Sequence, residues 1–348
     1  MAPMTRECAP DGIPTTAMAE YYRRRAAGGV GLVITEGSPP NAVGSFGARV
    51  PRFYGEDALQ AWTGVVDAVH AERAAIMVQL WHVGAFTPSQ IGMADSLPPS
   101  LQRLSPSGLA SPGRPYGRAM TEAEIAQTIA DFAHAAAAAR RLGFDGVELH
   151  GAHGYLPDQF LWSETNHRTD RYGGSLLHRL RFATELVRAC KAATGDGFVL
   201  SYRLSQWKQI DYDARIAREP SELATVVGAL ADAGVDIFHC STRRYWEAAY
   251  AGDPRTLAAW MHDLSGRPVI AVGSVTLAND LKSAGGRTYA AADPGQIVHL
   301  EQAMQRGDFE LIAVGRALLA NPDWPRLVAE GRLDALRPFE KRWLDELA

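Results

Sequence analysis

The chain has 348 residues, 47% of them hydrophobic and 21% charged, the balance of an ordinary globular protein long enough to bury a large core. A net charge of −4 carries no basic excess, which argues against nucleic acid or an anionic membrane surface as a partner. Cys8, Cys190 and Cys240 have no C-x-x-C spacing, which argues against structural zinc, an iron–sulfur cluster or a disulfide framework; with no transmembrane-length apolar run and no signal-peptide start, the cytoplasm is the expected location.

In chain order, Met1–Met4 is just long enough to be the end of a first strand. Seven apolar runs rich in Val, Ile and Leu follow, at residues 30–35, 75–80, 144–149, 198–203, 235–240, 268–272 and 310–314. Unalternated runs of this kind suit strands buried on both faces, as in a parallel sheet. Helical segments lie between them. Residues 56–73 begin with the acidic residues a helix N-terminus prefers. Thr121-Glu122-Ala123-Glu124 reads as a capping box opening a helix to Leu142. Residues 219–233 and 294–305 are likewise helical, with Gly234 and Gly307 as stops.

Strand and helix alternate without an internal break, which predicts one (β/α)₈ barrel domain over residues 1–348. A doubly wound sheet is disfavoured, since G-x-G-x-x-G after the first strand is missing and Gly28-Gly29-Val30-Gly31 precedes a strand instead. The Pro-, Ser- and Gly-rich stretch 81–120 follows the third strand. It is expected to be an ordered lid or local hairpin over the C-terminal face, where barrel enzymes keep their active sites.

Polar residues collect at the strand ends. Thr5 follows the first strand and Gln79-Leu80-Trp81-His82 closes the third. His150-Gly151-Ala152-His153-Gly154-Tyr155 follows the fourth, Arg203 ends the fifth, and Gly273-Ser274 and Gly315-Arg316 end the seventh and eighth. Two ring N–H groups can bind a developing oxyanion and a phenol can deliver a proton. A glutamine amide suits the edge of a planar heterocycle, and Arg203 offers a fixed positive fork for an electron-rich position of such a ring. The last two strand ends match the phosphate site that many barrels build there.

Each residue also has a plainer reading. His150 and His153 could be capped loop histidines or a zinc pair, though no third ligand has a persuasive spacing. Tyr155 could be packing, Gln79 and Arg203 satisfied core groups, and Gly273, Gly315 and Arg316 ordinary turn residues. Trp81 serves equally as core or as substrate wall. Arg243-Arg244-Tyr245-Trp246 lines the substrate mouth or is a charged loop with packed aromatics. His167, Arg168, Asp170 and Arg171 read as a structural loop network, and Glu148 as a buried partner for a barrel arginine.

Five stretches together settle the balance. Met1-Ala2-Pro3-Met4-Thr5-Arg6, Gln79-Leu80-Trp81-His82-Val83-Gly84, His150–Tyr155, the run from Asn166 to Ser175, and the run from Gly315 to Asp323 resemble, in this order, the Old Yellow Enzyme family of FMN-dependent ene-reductases on a (β/α)₈ barrel. The resemblance implies FMN as cofactor, NADPH or NADH as reductant and an electron-poor alkene as substrate, in a monomer or homo-oligomer. It implies that Ala2, Pro3, Met4 and Thr5 lie against the flavin, with Thr5 near its C4 carbonyl. Gln79 and Arg203 would hold the pyrimidine edge, and Gly273, Ser274, Gly315 and Arg316 the phosphate. His150, also beside the flavin, and His153 would clamp the substrate oxygen, with Tyr155 as proton donor. His-x-x-Asn is the commoner clamp in the threonine-type members that this chain resembles, but His-x-x-His also occurs.

Family members usually carry about thirty more residues before this Met-Ala-Pro-Met, so either the true start lies upstream or the first strand pairs poorly, with lower stability and weak flavin retention expected. The alternatives are a related flavin barrel (a dienoyl-CoA reductase type or a nitroester reductase) or a flavin-free phosphate-binding barrel or ligand-binding relic. An aldolase is disfavoured because no lysine stands at a strand end.

Overall fold

A computed structural model describes residues 1–87, 101–277, 294–344 and Leu347. Among these residues seven strands pair in parallel, each with the next in sequence: β1 (Leu32–Ser38), β2 (Ala75–Leu80), β3 (Gly146–His150), β4 (Val199–Leu204), β5 (Ile237–Ser241), β6 (Val269–Val272) and β7 (Leu311–Ala313). Met1 and Ala2 join the two outer strands. Ala2 N–H donates to Val314 O at 2.9 Å, Ile34 N–H donates to Met1 O at 3.2 Å, and the Met1 amino group donates to Leu32 O at 2.6 Å. The position expected for the first strand is thus filled by a two-residue bridge, and the sheet curls into a (β/α)₈ barrel.

The strands lie close to their predicted runs. β1 starts two residues late because Val30 N–H is taken by Arg25 O, at the end of the preceding helix. Among the described residues ten α-helices follow the strands or lead into them: α1 (Thr16–Ala27), α2 (Glu56–His70), α3 (Glu122–Arg141), α4 (Leu156–Leu161), α5 (Leu176–Thr194), α6 (Pro220–Ala233), α7 (Leu257–Ser265), α8 (Pro294–Gln305), α9 (Arg316–Ala320) and α10 (Trp324–Ala329). The capping box at Thr121 and Glu124 is present, and Gly234 takes the left-handed conformation that ends α6. Two long helices went unread in the sequence, α1 and α5. Each is announced only by a hydroxyl cap, Thr15 and Ser175, accepting from the N–H three residues on.

In the stretch after β2, Leu109–Ser111 and Arg114–Pro115 form the expected antiparallel hairpin, and Leu104–Ser105 pairs with Arg118–Ala119. Residues 88–100 of that stretch lie outside the described residues. Arg168 pins the hairpin, donating to Pro106 O at 3.0 Å and Met120 O at 2.5 Å while chelating Asp170. The loop-network reading of Arg168 and Asp170 therefore holds. Among the described residues no helix is long and apolar enough to cross a membrane.

Candidate active site

The centre of the site is the turn from β3 into α4. Gly151 passes so close to β4 that a Cβ there would sit 2.2 Å from the Tyr202 ring, and its N–H donates to Arg203 O at 3.0 Å. His153 then adopts φ 67° and Gly154 φ 88°, a left-handed pair that reverses the chain within one turn. Neighbouring loops hold this geometry. His153 N–H donates to Ser205 Oγ at 3.0 Å, Gln209 N–H to His153 O at 3.1 Å, and Gly154 N–H to Asp158 Oδ2 at 2.7 Å.

The three predicted chemical side chains meet. The His150 and His153 ring centroids are 5.0 Å apart with their planes at 83°, and Tyr155 lies 4.9 Å from His150. Tyr155 is seated in an aromatic cluster, 5.0 Å from Trp81 and 5.1 Å from Phe86. His153 stacks on Trp207 at 4.4 Å. Burial, reinforced by the Arg203 charge, holds both imidazoles well below the usual histidine range, so both are neutral at pH 7. Burial also raises the Tyr155 phenol above the usual tyrosine range, while Arg203 works in the opposite sense. Neutral donors and a protonated phenol stand together.

A cavity of about 350 Å³ opens beside His153. Its wall includes Ala2, Pro3, Met4, Thr5, Arg203, Gly273, Ser274, Gly315 and Arg316, nine of the predicted cofactor residues, although they are spread from the start of the chain to residue 316. Gln79, His150 and Tyr155 are not on that wall. His150 and Tyr155 reach it through their ring contacts with His153. Gln79 turns its Nε2 into the barrel, donating to Glu148 Oε1 at 2.8 Å.

Glu148 corrects an expectation, because it hydrogen-bonds no arginine. Its carboxylate takes Gln79, the Ser201 hydroxyl at 3.0 Å and His239 Nδ1 at 2.7 Å. Burial penalises this charge, yet His239, the field of Arg203 and the Gln79 amide outweigh it and hold Glu148 below the usual carboxylate range. The mouth residues also divide. Arg243 lines the cavity, whereas Arg244 pairs with Glu247 at 2.7 Å and the Tyr245 hydroxyl donates to Gln296 O at 2.9 Å.

The cavity suits an anionic planar cofactor. Arg203 Nε and Ser274 Oγ are buried and find no hydrogen-bond partner among the described residues. Ser274 and Thr276 both have positive φ, at 49° and 53°, in the turn after β6. Alternation of this kind turns backbone N–H groups toward one side, as anion sites require. The short helix α9 begins at Arg316 on the same wall. For the zinc reading, no group of three or more His, Cys, Asp or Glu side chains is placed to hold a metal ion among the described residues.

Several residues of the site have no sequence signal of their own. Ser241 Oγ lies 2.7 Å from His153 Nε2 and accepts from Arg203 Nη2 at 3.1 Å. Trp207 forms the floor under His153, and Lys208 pairs with Asp158 at 2.6 Å in full burial. Only the strand-end position of Ser241 could have marked it.

Comparison with known proteins agrees with this geometry. Residues 1–335 match the NADH:flavin oxidoreductase / NADH oxidase family. The chain is 35% identical to 12-oxophytodienoate reductase 7 of Oryza sativa subsp. japonica over 96% of its own length and 84% of that protein. It is also 35% identical to a chanoclavine-I aldehyde reductase of Penicillium roqueforti, over 95% of this chain and 85% of that protein. Among solved structures it superposes on morphinone reductase in complex with tetrahydroNAD with a TM-score of 0.80 at 28% identity, covering 99% of this chain and 89% of that one. The old yellow enzyme homologue from Zymomonas mobilis gives 0.77 at 26% identity, covering 99% and 91%. With a (β/α)₈ barrel, strand-end donors and a cofactor cavity in place, the chain belongs to the Old Yellow Enzyme family, as an FMN-dependent oxidoreductase that reduces activated carbon–carbon double bonds with NAD(P)H.

Proposed function

We propose that the substrate is an α,β-unsaturated ketone, aldehyde, imide or nitroalkene, with its oxygen held by His150 and His153 and its α-carbon protonated by Tyr155. The observation that carries this reading is the meeting of two neutral imidazoles and a protonated phenol beside the Arg203 cavity. Arg203, the turns at Gly273–Ser274 and Gly315–Arg316, and Ala2, Pro3, Met4 and Thr5 would hold FMN, with Gln79 set behind them by Glu148. When bound, FMN supplies the β-carbon with the hydride that NAD(P)H has delivered.

The side chains do the rest. Ring N–H groups at His150 and His153 strengthen their bonds as negative charge moves onto the substrate oxygen, so they favour the transition state over the ground state. Tyr155 stays protonated at neutral pH because burial disfavours phenolate. The nearby Arg203 charge stabilises the phenolate that forms once the proton leaves. The aromatic wall of Trp81, Phe86 and Trp207 keeps water from the reacting carbons.

The same reading takes NADPH as reductant, one domain over the chain, small molecules as the only ligands, and the cytoplasm as location. All three cysteines are free thiols, which that compartment maintains. The test is spectroscopic. Protein loaded with FMN is titrated with a simple phenol, which offers the clamp an oxygen anion. A saturable change in the visible spectrum is expected, and it should be absent in His150→Ala. Protein that takes up no FMN defeats the reading, as does a phenol response unchanged in His150→Ala.

A further inference from the structure

We propose that Ser241 fixes the tautomer of His153, so that the two active-site histidines carry their protons on different ring nitrogens, Nε2 in His150 and Nδ1 in His153. For His150 the argument is short. Its Nδ1 accepts the Ala152 backbone N–H at 3.3 Å. A backbone N–H can only donate, so the single proton of the neutral ring sits on Nε2.

His153 makes no such backbone contact. Its Nε2 lies 2.7 Å from Ser241 Oγ, and Arg203 Nη2 lies 3.1 Å from the same oxygen. A guanidinium has no acceptor, so Arg203 donates and occupies one lone pair of the hydroxyl. Ser241 is buried and no other acceptor stands within reach of its Oγ among the described residues, so accepting a second proton from His153 would leave the hydroxyl proton unpaired, and it donates to His153 Nε2 instead. The ring must then carry its own proton on Nδ1. Ser241 also steadies the ring from below, because its carbonyl accepts the Trp207 Nε1–H at 3.1 Å, and Trp207 is the indole on which His153 stacks. The left-handed backbone of His153, tied to Ser205 and Gln209, restricts the ring further.

The consequence is a line of donors, Arg203 to Ser241 to His153, running from the cofactor cavity to the substrate clamp. Ser241 lines the cavity but acts here through the His153 ring. It is a positioning residue that decides which nitrogen of His153 can donate. The inference rests on His150 and His153 being the clamp, but a tautomer exists with or without substrate, so the two can fail separately.

The test uses the FMN-loaded protein labelled with ¹⁵N-histidine. Two-bond ¹H–¹⁵N correlation spectra distinguish the tautomers, with assignment by His150→Gln and His153→Gln. The expected result is Nε2–H for His150 and Nδ1–H for His153. In Ser241→Ala, His153 should redistribute toward Nε2–H, while Ser241→Thr, which keeps a hydroxyl, should restore the original pattern. Phenol affinity should fall roughly three- to tenfold in Ser241→Ala, the worth of one hydrogen bond, and recover in Ser241→Thr. An Nε2–H tautomer for His153 in the unaltered protein overturns the proposal, and so does an Nδ1–H population that Ser241→Ala leaves unmoved. A tautomer shift with unchanged phenol affinity supports the role of Ser241 and instead removes His153 from the clamp.

Discussion

Lys208 and Asp158 form a salt bridge of 2.6 Å in which both side chains are wholly buried, and it ties the loop after β4 to the start of α4. Asp158 uses its other oxygen to hold the Gly154 N–H at 2.7 Å, between His153 and Tyr155. Lys208→Met keeps most of the side-chain volume and removes the cation, leaving a buried carboxylate with one N–H donor. Breaking a buried pair from one side costs about 3–5 kcal/mol. Asp158→Asn still offers Gly154 an acceptor but leaves the ammonium without a carboxylate, with the Gln206 carbonyl at 3.3 Å and the Trp162 ring 5.6 Å away, and should cost a similar amount. The double variant carries neither charge. Its loss should therefore fall short of the summed single losses by at least about 2 kcal/mol. Urea unfolding of the four FMN-loaded proteins measures the cycle. Single losses under about 1 kcal/mol that simply add would refute the claim that this pair secures the active-site turn.

Other expectations follow from the same structure. Because burial and Arg203 hold His150 and His153 neutral, phenol affinity should not titrate with a histidine-like midpoint near 6.5. A pH series of the spectral titration checks this. Protonation of the alkene should show no alkaline limb at the ordinary tyrosine pKa of about 10, since Tyr155 is raised above it; a limb there that vanishes in Tyr155→Phe would contradict the burial argument. Glu36, buried and accepting the Arg6 N–H at 2.9 Å, is pushed by burial from 4.5 up to about 7. A carboxyl raised in the folded state contributes stability that is fully present below about pH 4.5 and lost as pH rises through about 7, by up to about 3 kcal/mol. Glu36→Gln should flatten that fall, as measured by urea unfolding at pH 5 and pH 8.

The barrel was readable because parallel strands buried on both faces leave unbroken apolar runs, and because polar residues ending such runs are costly without a use. That logic located Gln79, His150, Arg203 and the Gly315–Arg316 turn from sequence. It could not reveal register. Gln79 pairs with Glu148, and Glu148 with Ser201, across β2, β3 and β4, so all three fall in one layer of the barrel interior. The sequence marks none of this, and an arginine was the natural guess for Glu148. Ser241 and Lys208 were hidden for a related reason. One is a serine among many, placed beside His153 by the pairing of β4 with β5. The other lies fifty residues from Asp158 and looks like a surface cation until the loop after β4 folds over it.

The central claim is that the histidines hold the substrate oxygen while Tyr155 delivers the proton. Rapid-mixing kinetics under anaerobic conditions test it most directly, by following reduction with NAD(P)H and reoxidation by an enone separately in the unaltered protein and in Tyr155→Phe. The account predicts an enone half-reaction slowed by roughly 10²–10⁴-fold, the usual contribution of general acid catalysis, with the NAD(P)H half-reaction essentially unchanged. Equal losses in both half-reactions, or none in either, would contradict it.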